Sequence, residues 1–192
     1  EDSVVLAPPA MTTSLMFHGG LSAIGSAYRE NAAGFKASVR IAAATTADEA
    51  EALARQRNLT HIVMPSWDPF LETYAKLGTT QVQSSLIALL QAWMPPRWLE
   101  PVSYYMPPLP AYAEERVNIF EVTEVQDQPL ALSRLAEYFL DMGDVDLAAR
   151  LCRAMYDAFP DDLTCRIAIA RGQLQFEREK LGETVEELTT YI

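Results

Sequence analysis

Few side chains here could do chemistry. His18 and His61 are the only histidines, and Cys152 and Cys165 the only cysteines. His18 precedes Gly19-Gly20, where an imidazole suits the C-terminal end of a helix dipole, and His61 opens an apolar run, so both read as structural. The cysteines show no C-x-x-C spacing for metal or redox work and read as half-buried apolar side chains on neighbouring helices, with a disulfide between them left open. No G-x-G-x-x-G or G-x-x-x-x-G-K-[ST] run offers a row of amides to phosphate, and no G-x-S-x-G or Cys/His nucleophile arrangement is present. The expectation is therefore no catalytic residue, no cofactor and no metal.

Two stretches remain. Tyr28-Arg29-Glu30-Asn31 is a charged corner after a run of small and apolar residues, and Trp67-Asp68 follows a β-branched run. In an open α/β sheet, ligands sit outside the carboxyl ends of the strands, where both stretches are predicted to fall. Two aromatic rings, a guanidinium, an amide and a carboxylate could form a polar-aromatic cleft for a sugar or a peptide. Tyr28, Arg29, Asn31, Trp67 and Asp68 are the candidate ligand-binding set. The competing reading is that Asp68 caps a helix, Trp67 packs, and Arg29 pairs with an acid. Asn58-Leu59-Thr60 matches a glycosylation sequon, a tripeptide common by chance.

Bulk composition narrows the partners. With 15 Lys+Arg against 26 Asp+Glu, the net charge is -11, and no basic cluster overrides it, which argues against nucleic acid. A hydrophobic share of 49% over 192 residues supports one domain or two small ones. No apolar run approaches the roughly 18–20 residues that cross a bilayer. The chain enters a strand almost at once after Glu1-Asp2, which reads as a segment of something longer.

The elements that must position these residues follow from periodicity. Ser3–Ala7 reads as a first strand, Thr12–His18 as a helix stopped at Gly19-Gly20, and Leu21–Ala27 as a second, buried strand in the sheet interior. Ala32–Ala44 reads as a helix, and Thr46-Ala47-Asp48-Glu49 as a capping box opening another that stops near Asn58. His61–Met64 is a third strand ending at Pro65, and Asp68-Pro69 caps a short helix ending at Gly78. Thr80–Met94 is predicted as one helix, with Val82, Leu86, Leu89, Leu90 and Trp93 on one face. A proline-rich connection follows, with a brief strand at Val102–Tyr104, and then an alternating strand at Asn118–Thr123, expected at an edge. This order predicts an α/β fold, a small Rossmann-like, mostly parallel sheet with flanking helices over residues 1–126.

From Leu130 the pattern turns helical. Leu132, Leu135, Ala136 and Phe139 form one stripe, Gly143-Asp144 a turn, and Leu147, Ala148, Leu151, Cys152, Met155 and Phe159 a second stripe stopped by Pro160. This spacing resembles a tetratricopeptide repeat, with part of a second copy from Leu163. Residues 127–192 are thus expected to be an all-α, tetratricopeptide-like hairpin plus a C-terminal helix. Its open face would need a neighbour, the α/β domain being the expected one.

Residues 1–70 carry a further resemblance. A strand, a helix, a second strand ending at Tyr28-Arg29-Glu30-Asn31 with Gly34, a helix, and an apolar strand at Thr60–Pro65 resemble the soluble extracytoplasmic C-terminal domain of bacterial multi-pass membrane proteins of the GT-C glycosyltransferase type. Those regions tend to carry a tyrosine–histidine–arginine–asparagine corner; here the histidine is absent and the arginine displaced. The resemblance implies a non-catalytic binding or interaction domain outside the bacterial inner membrane, on the periplasmic face, with any chemistry in the membrane part of a parent protein and a link to cell-envelope glycan transfer. Its partners would be the parent membrane domain, another protein, or a glycan. Two alternatives stand beside it: a small soluble α/β ligand-binding protein or enzyme, in the cytoplasm, and a tetratricopeptide adaptor for a protein partner.

Overall fold

The computed structural model describes residues 3–26, 28–102 and 115–190, with side chains through residue 178. The chain is mixed α/β and divides into two compact units, Glu1–Gln126 and Asp127–Ile192.

In the first unit, β1 (Val4–Leu6), α1 (Pro9–Gly19), β2 (Ser22–Ile24), α2 (Ala32–Ala43), α3 (Ala47–Gln56) and β3 (His61–Pro65) follow in order. Then come α4 (Phe70–Gly78), α5 (Leu86–Gln91), β4 (Leu99–Pro101) and β5 (Val117–Val122). The five-stranded sheet runs β2-β1-β3-β5-β4 and is mixed: β1 pairs in parallel with β2 and β3, while β5 runs antiparallel between β3 and β4. Successive strand residues point to opposite faces. Leu6, Ile62, Met64 and Phe120 therefore share one core cluster with α2–α5, and Val5, Ala7 and Val63 share another with Met11 and Leu15 of α1.

Local chemistry sets the boundaries. Thr46 Oγ1 accepts the Glu49 amide and starts α3, as the capping box predicts. Gly20 takes the left-handed conformation (φ 64) that closes α1. Thr60, just ahead of β3, donates its hydroxyl to Val4 O and accepts the Val4 amide, both at 2.9 Å, fixing the register of β1 on β3.

Four expectations change. The sheet, expected to be mostly parallel, has two parallel and two antiparallel pairings, because β5 enters between β3 and β4 in the opposite direction. The Leu21–Ala27 run is not an interior strand: β2 is three residues long and lies at the sheet edge, with Ser22 exposed. Leu21 and Ile24 are only partly buried against the two core clusters, and Gly25, at φ 84, turns the chain out of the ladder; Ala27 falls outside the described residues. Thr80–Met94 is not one helix. A 3-10 turn covers Val82–Ser84, Ser85 Oγ accepts the Ala88 amide, and the Leu86 amide donates to Ala44 O at 2.9 Å, so the helix starts anew at Leu86. The strand at Asn118–Thr123 is not an edge: β5 is flanked on both sides. Of the brief strand expected at Val102–Tyr104, Val102 lies just past β4 with its N–H bonding Ile119 O, and residues 103 and 104 lie outside the described residues.

The second unit holds α6 (Gln128–Asp141), α7 (Val145–Ala158) and α8 (Leu163–Thr190). Aspartates start each helix: Asp127 accepts the Leu130 amide, Asp144 the Leu147 amide, and Asp162 the Cys165 amide. Ala136, Cys152, Met155, Cys165 and Ala168 form the core. Arg171 bridges Asp141 at 2.7 Å and Glu137 at 3.3 Å, tying α8 to α6. Both cysteines are buried and free, and burial pushes both thiols up, away from the reactive thiolate.

Candidate functional site

β3 delivers the chain into Ser66-Trp67-Asp68-Pro69. The turn is clamped to the start of β5: Ser66 N–H bonds Arg116 O at 2.8 Å, and Arg116 N–H bonds Ser66 Oγ at 3.0 Å. Asp68 Oδ1 accepts the Phe70 amide at 3.0 Å, capping α4 through one carboxylate oxygen. Trp67, held between these anchored neighbours, keeps 48% of its surface exposed.

Beside it lies α1. Between Pro9 and Gly19 there is no Asp, Glu, Lys or Arg, although most of its positions face solvent. Met11 and Leu15 turn inward onto Val5, Ala7 and Val63. Ala10, Ser14 and His18, at i, i+4 and i+8, line one face. Together with Trp67 and Asp68 they bound an open groove of about 570 Å³, within the usual size of ligand sites. Beyond the groove, Phe17 is 82% exposed and meets His18 edge-on, their ring centroids 5.0 Å apart.

The Tyr28–Asn31 corner is built differently. Tyr28 is exposed, and Arg29–Asn31 form one 3-10 turn leading into α2. The Asn31 amide donates to Ser26 Oγ at 3.0 Å. Gly34 leaves room for that amide, since a Cβ there would collide with Asn31 Oδ1. Gly25 packs as closely, where a Cβ would strike Ser38 Oγ. Tyr74 Oη donates to Gly25 O at 3.4 Å, a long bond, from a pocket where Phe35 and Phe70 meet its ring edge-on. Burial first, and the Asp68 charge second, push the Tyr74 phenol up to about 12. Tyr74 thus links the β2 corner to the neighbourhood of Asp68.

The candidate residues separate accordingly. Trp67 and Asp68 line the groove; Tyr28, Arg29 and Asn31 sit on the β2 corner and are not among its walls. Ala10, Ser14 and His18 join the groove without having been singled out together. The signal in the sequence was the missing charge across Pro9–Gly19. Among the described residues, no group of His, Cys, Asp and Glu is placed to hold a metal ion.

No family model and no curated protein matches the chain. A solved structure does. The C-terminal globular domain of an oligosaccharyltransferase from Archaeoglobus fulgidus is similar at 12% sequence identity and a TM-score of 0.46, covering 64% of this chain and 86% of that one.

Proposed function

We propose that this chain is a binding and interaction domain of a larger bacterial membrane protein, on the periplasmic face of the inner membrane, and that it serves cell-envelope glycan transfer without catalysing it. One observation carries the interaction reading: each unit presents large apolar side chains to solvent. On α1 these are Met16 and Phe17; on α8 they are Leu163, Ile167 and Leu174, in one stripe. Apolar side chains grouped in this way on a surface mark places where something docks. The resemblance of residues 1–70 to regions that follow membrane helices supports the parentage. No described helix is long and apolar enough to cross a membrane, so the parent would supply any anchor.

The tetratricopeptide-like reading of residues 127–192 belongs to this proposal. Ala136 and Ala148, both fully buried, keep the helices close, and the α8 stripe would meet a protein partner.

A reporter fusion tests it. Alkaline phosphatase, which needs an oxidising compartment to fold, would be joined after Ile192 in the full native gene. The expected result is an active reporter in the membrane fraction. An inactive reporter, with a cytoplasmic fluorescent fusion bright in the soluble fraction, would reverse the assignment.

A further inference from the structure

We infer that the groove between α1 and Trp67 is a binding site for a neutral saccharide, an assignment that deepens the binding-domain reading and rests on it. The argument begins with charge. Of the groove's walls, only Asp68 carries a formal charge, and none is a Lys or Arg. A phosphate, a sulfate or an acidic peptide would meet a carboxylate with no cation to offset it, on a chain of net charge -11. An anionic occupant is therefore disfavoured.

Shape comes next. On the helix side the groove is lined by Met11 and Leu15 as well as the small Ala10 and Ser14, while Trp67 stands half-exposed at its side on a turn clamped at Ser66 and capped at Asp68. An indole carried on a braced turn beside a largely apolar helix face offers a flat apolar platform. The C–H face of a pyranose ring matches such a platform.

Polar groups complete the match. Asp68 commits Oδ1 to the Phe70 amide, and among the described residues its other oxygen accepts no bond. Ser14 brings a hydroxyl that both donates and accepts, and His18 an exposed imidazole one further turn along. A carboxylate oxygen, a hydroxyl and an imidazole around one groove suit a ligand rich in hydroxyl groups, each of which also donates and accepts. A hydrophobic peptide would leave these groups facing apolar side chains.

Tryptophan fluorescence of the 192-residue chain tests the assignment, because Trp98 is buried and Trp93 packs against the core. Maltotriose, cellotriose and N,N′-diacetylchitobiose are the probes, with an uncharged Gly/Ser-flanked tyrosine peptide alongside. The expected result is a saturable change with at least one saccharide at millimolar concentration. Ser14→Leu, which fills the groove at an exposed helical position and keeps Trp67 as reporter, should weaken it by about tenfold or more. Asp68→Asn, which preserves a capping oxygen, should weaken it less, and Arg29→Ala should leave it unchanged. Circular dichroism would confirm that each variant is folded. A flat titration with every saccharide, saturation by the peptide alone, or a Ser14→Leu curve identical to the parent would overturn the proposal. Because the fusion experiment reads only location, failure here leaves that result standing, and the converse also holds.

Discussion

On one face of the sheet, Leu6, Ile62, Met64 and Phe120 meet α2, α3, α4 and α5; on the other, Val5, Ala7 and Val63 meet α1. The strands are the same and the pleat supplies apolar residues to both sides, so the contrast comes from the helices. Ile41, Leu71, Tyr74, Leu86, Ile87 and Leu90 interlock on the first face at 0% to 3% exposure. On the second face α1 contributes Met11 and Leu15, both half-buried, and turns its remaining apolar side chains outward. Stability is thereby concentrated on one side. The other is left with surface to offer, and it is there that the groove lies.

Substitutions can break this contrast or sharpen it. All three tryptophans lie before residue 127, so fluorescence-detected urea unfolding reports the α/β unit alone. Phe120→Ala should have the largest effect, a loss of about 3–5 kcal/mol, because it opens a cavity on the tightly packed face. Gly25→Ala should follow at about 3 kcal/mol: a side chain there is strained at φ 84 and meets Ser38, whose position on α2 leaves it little freedom to yield.

Tyr74 gives a pH signature on the same side. The folded protein holds the phenolic proton more tightly than the unfolded chain, in which tyrosine titrates near 10. Stability should therefore be intact below pH 10 and fall as pH rises through 10 to about 12, by on the order of 2 kcal/mol in total. Urea midpoints across that range should show the decline, and Tyr74→Phe should remove it. Leu15→Ala, on the sparsely packed face, should cost about 1 kcal/mol, well under the Phe120 value. Phe17→Ser should change stability by less than about 0.5 kcal/mol, since the ring is already in water. A Leu15→Ala loss as large as that of Phe120→Ala would erase the distinction between the faces.

The elements with strong local chemistry could be read from the sequence. His61–Met64 places Ile62, Val63 and Met64 directly before a proline, and the strand emerges as His61–Pro65; Thr46 caps the helix expected of it. What escaped was decided by distant contacts. Whether Leu21–Ala27 lies inside the sheet or at its edge depends on what pairs beyond it, which a run of alanine, serine and glycine does not encode. The break at Ser85 is set by Ala44, forty-one residues away, whose carbonyl takes the Leu86 amide. At the groove, Trp67 and Asp68 stood out as residue types, whereas Ala10, Ser14 and His18 gain meaning only from sharing a helix face beside them.

The placement of β5 has a consequence for synthesis. Of the described strands of the sheet it is the last to leave the ribosome, yet it is inserted between two that precede it, β3 and β4. Until residue 122 has emerged, β3 keeps one bare hydrogen-bonding rim and β4 has no companion strand, so a nascent or truncated chain carries two open ladders at once. Translation slow enough to stall in the proline-rich stretch after Pro101 would prolong that exposed interval, and a holdase shielding unpaired strands would matter most there.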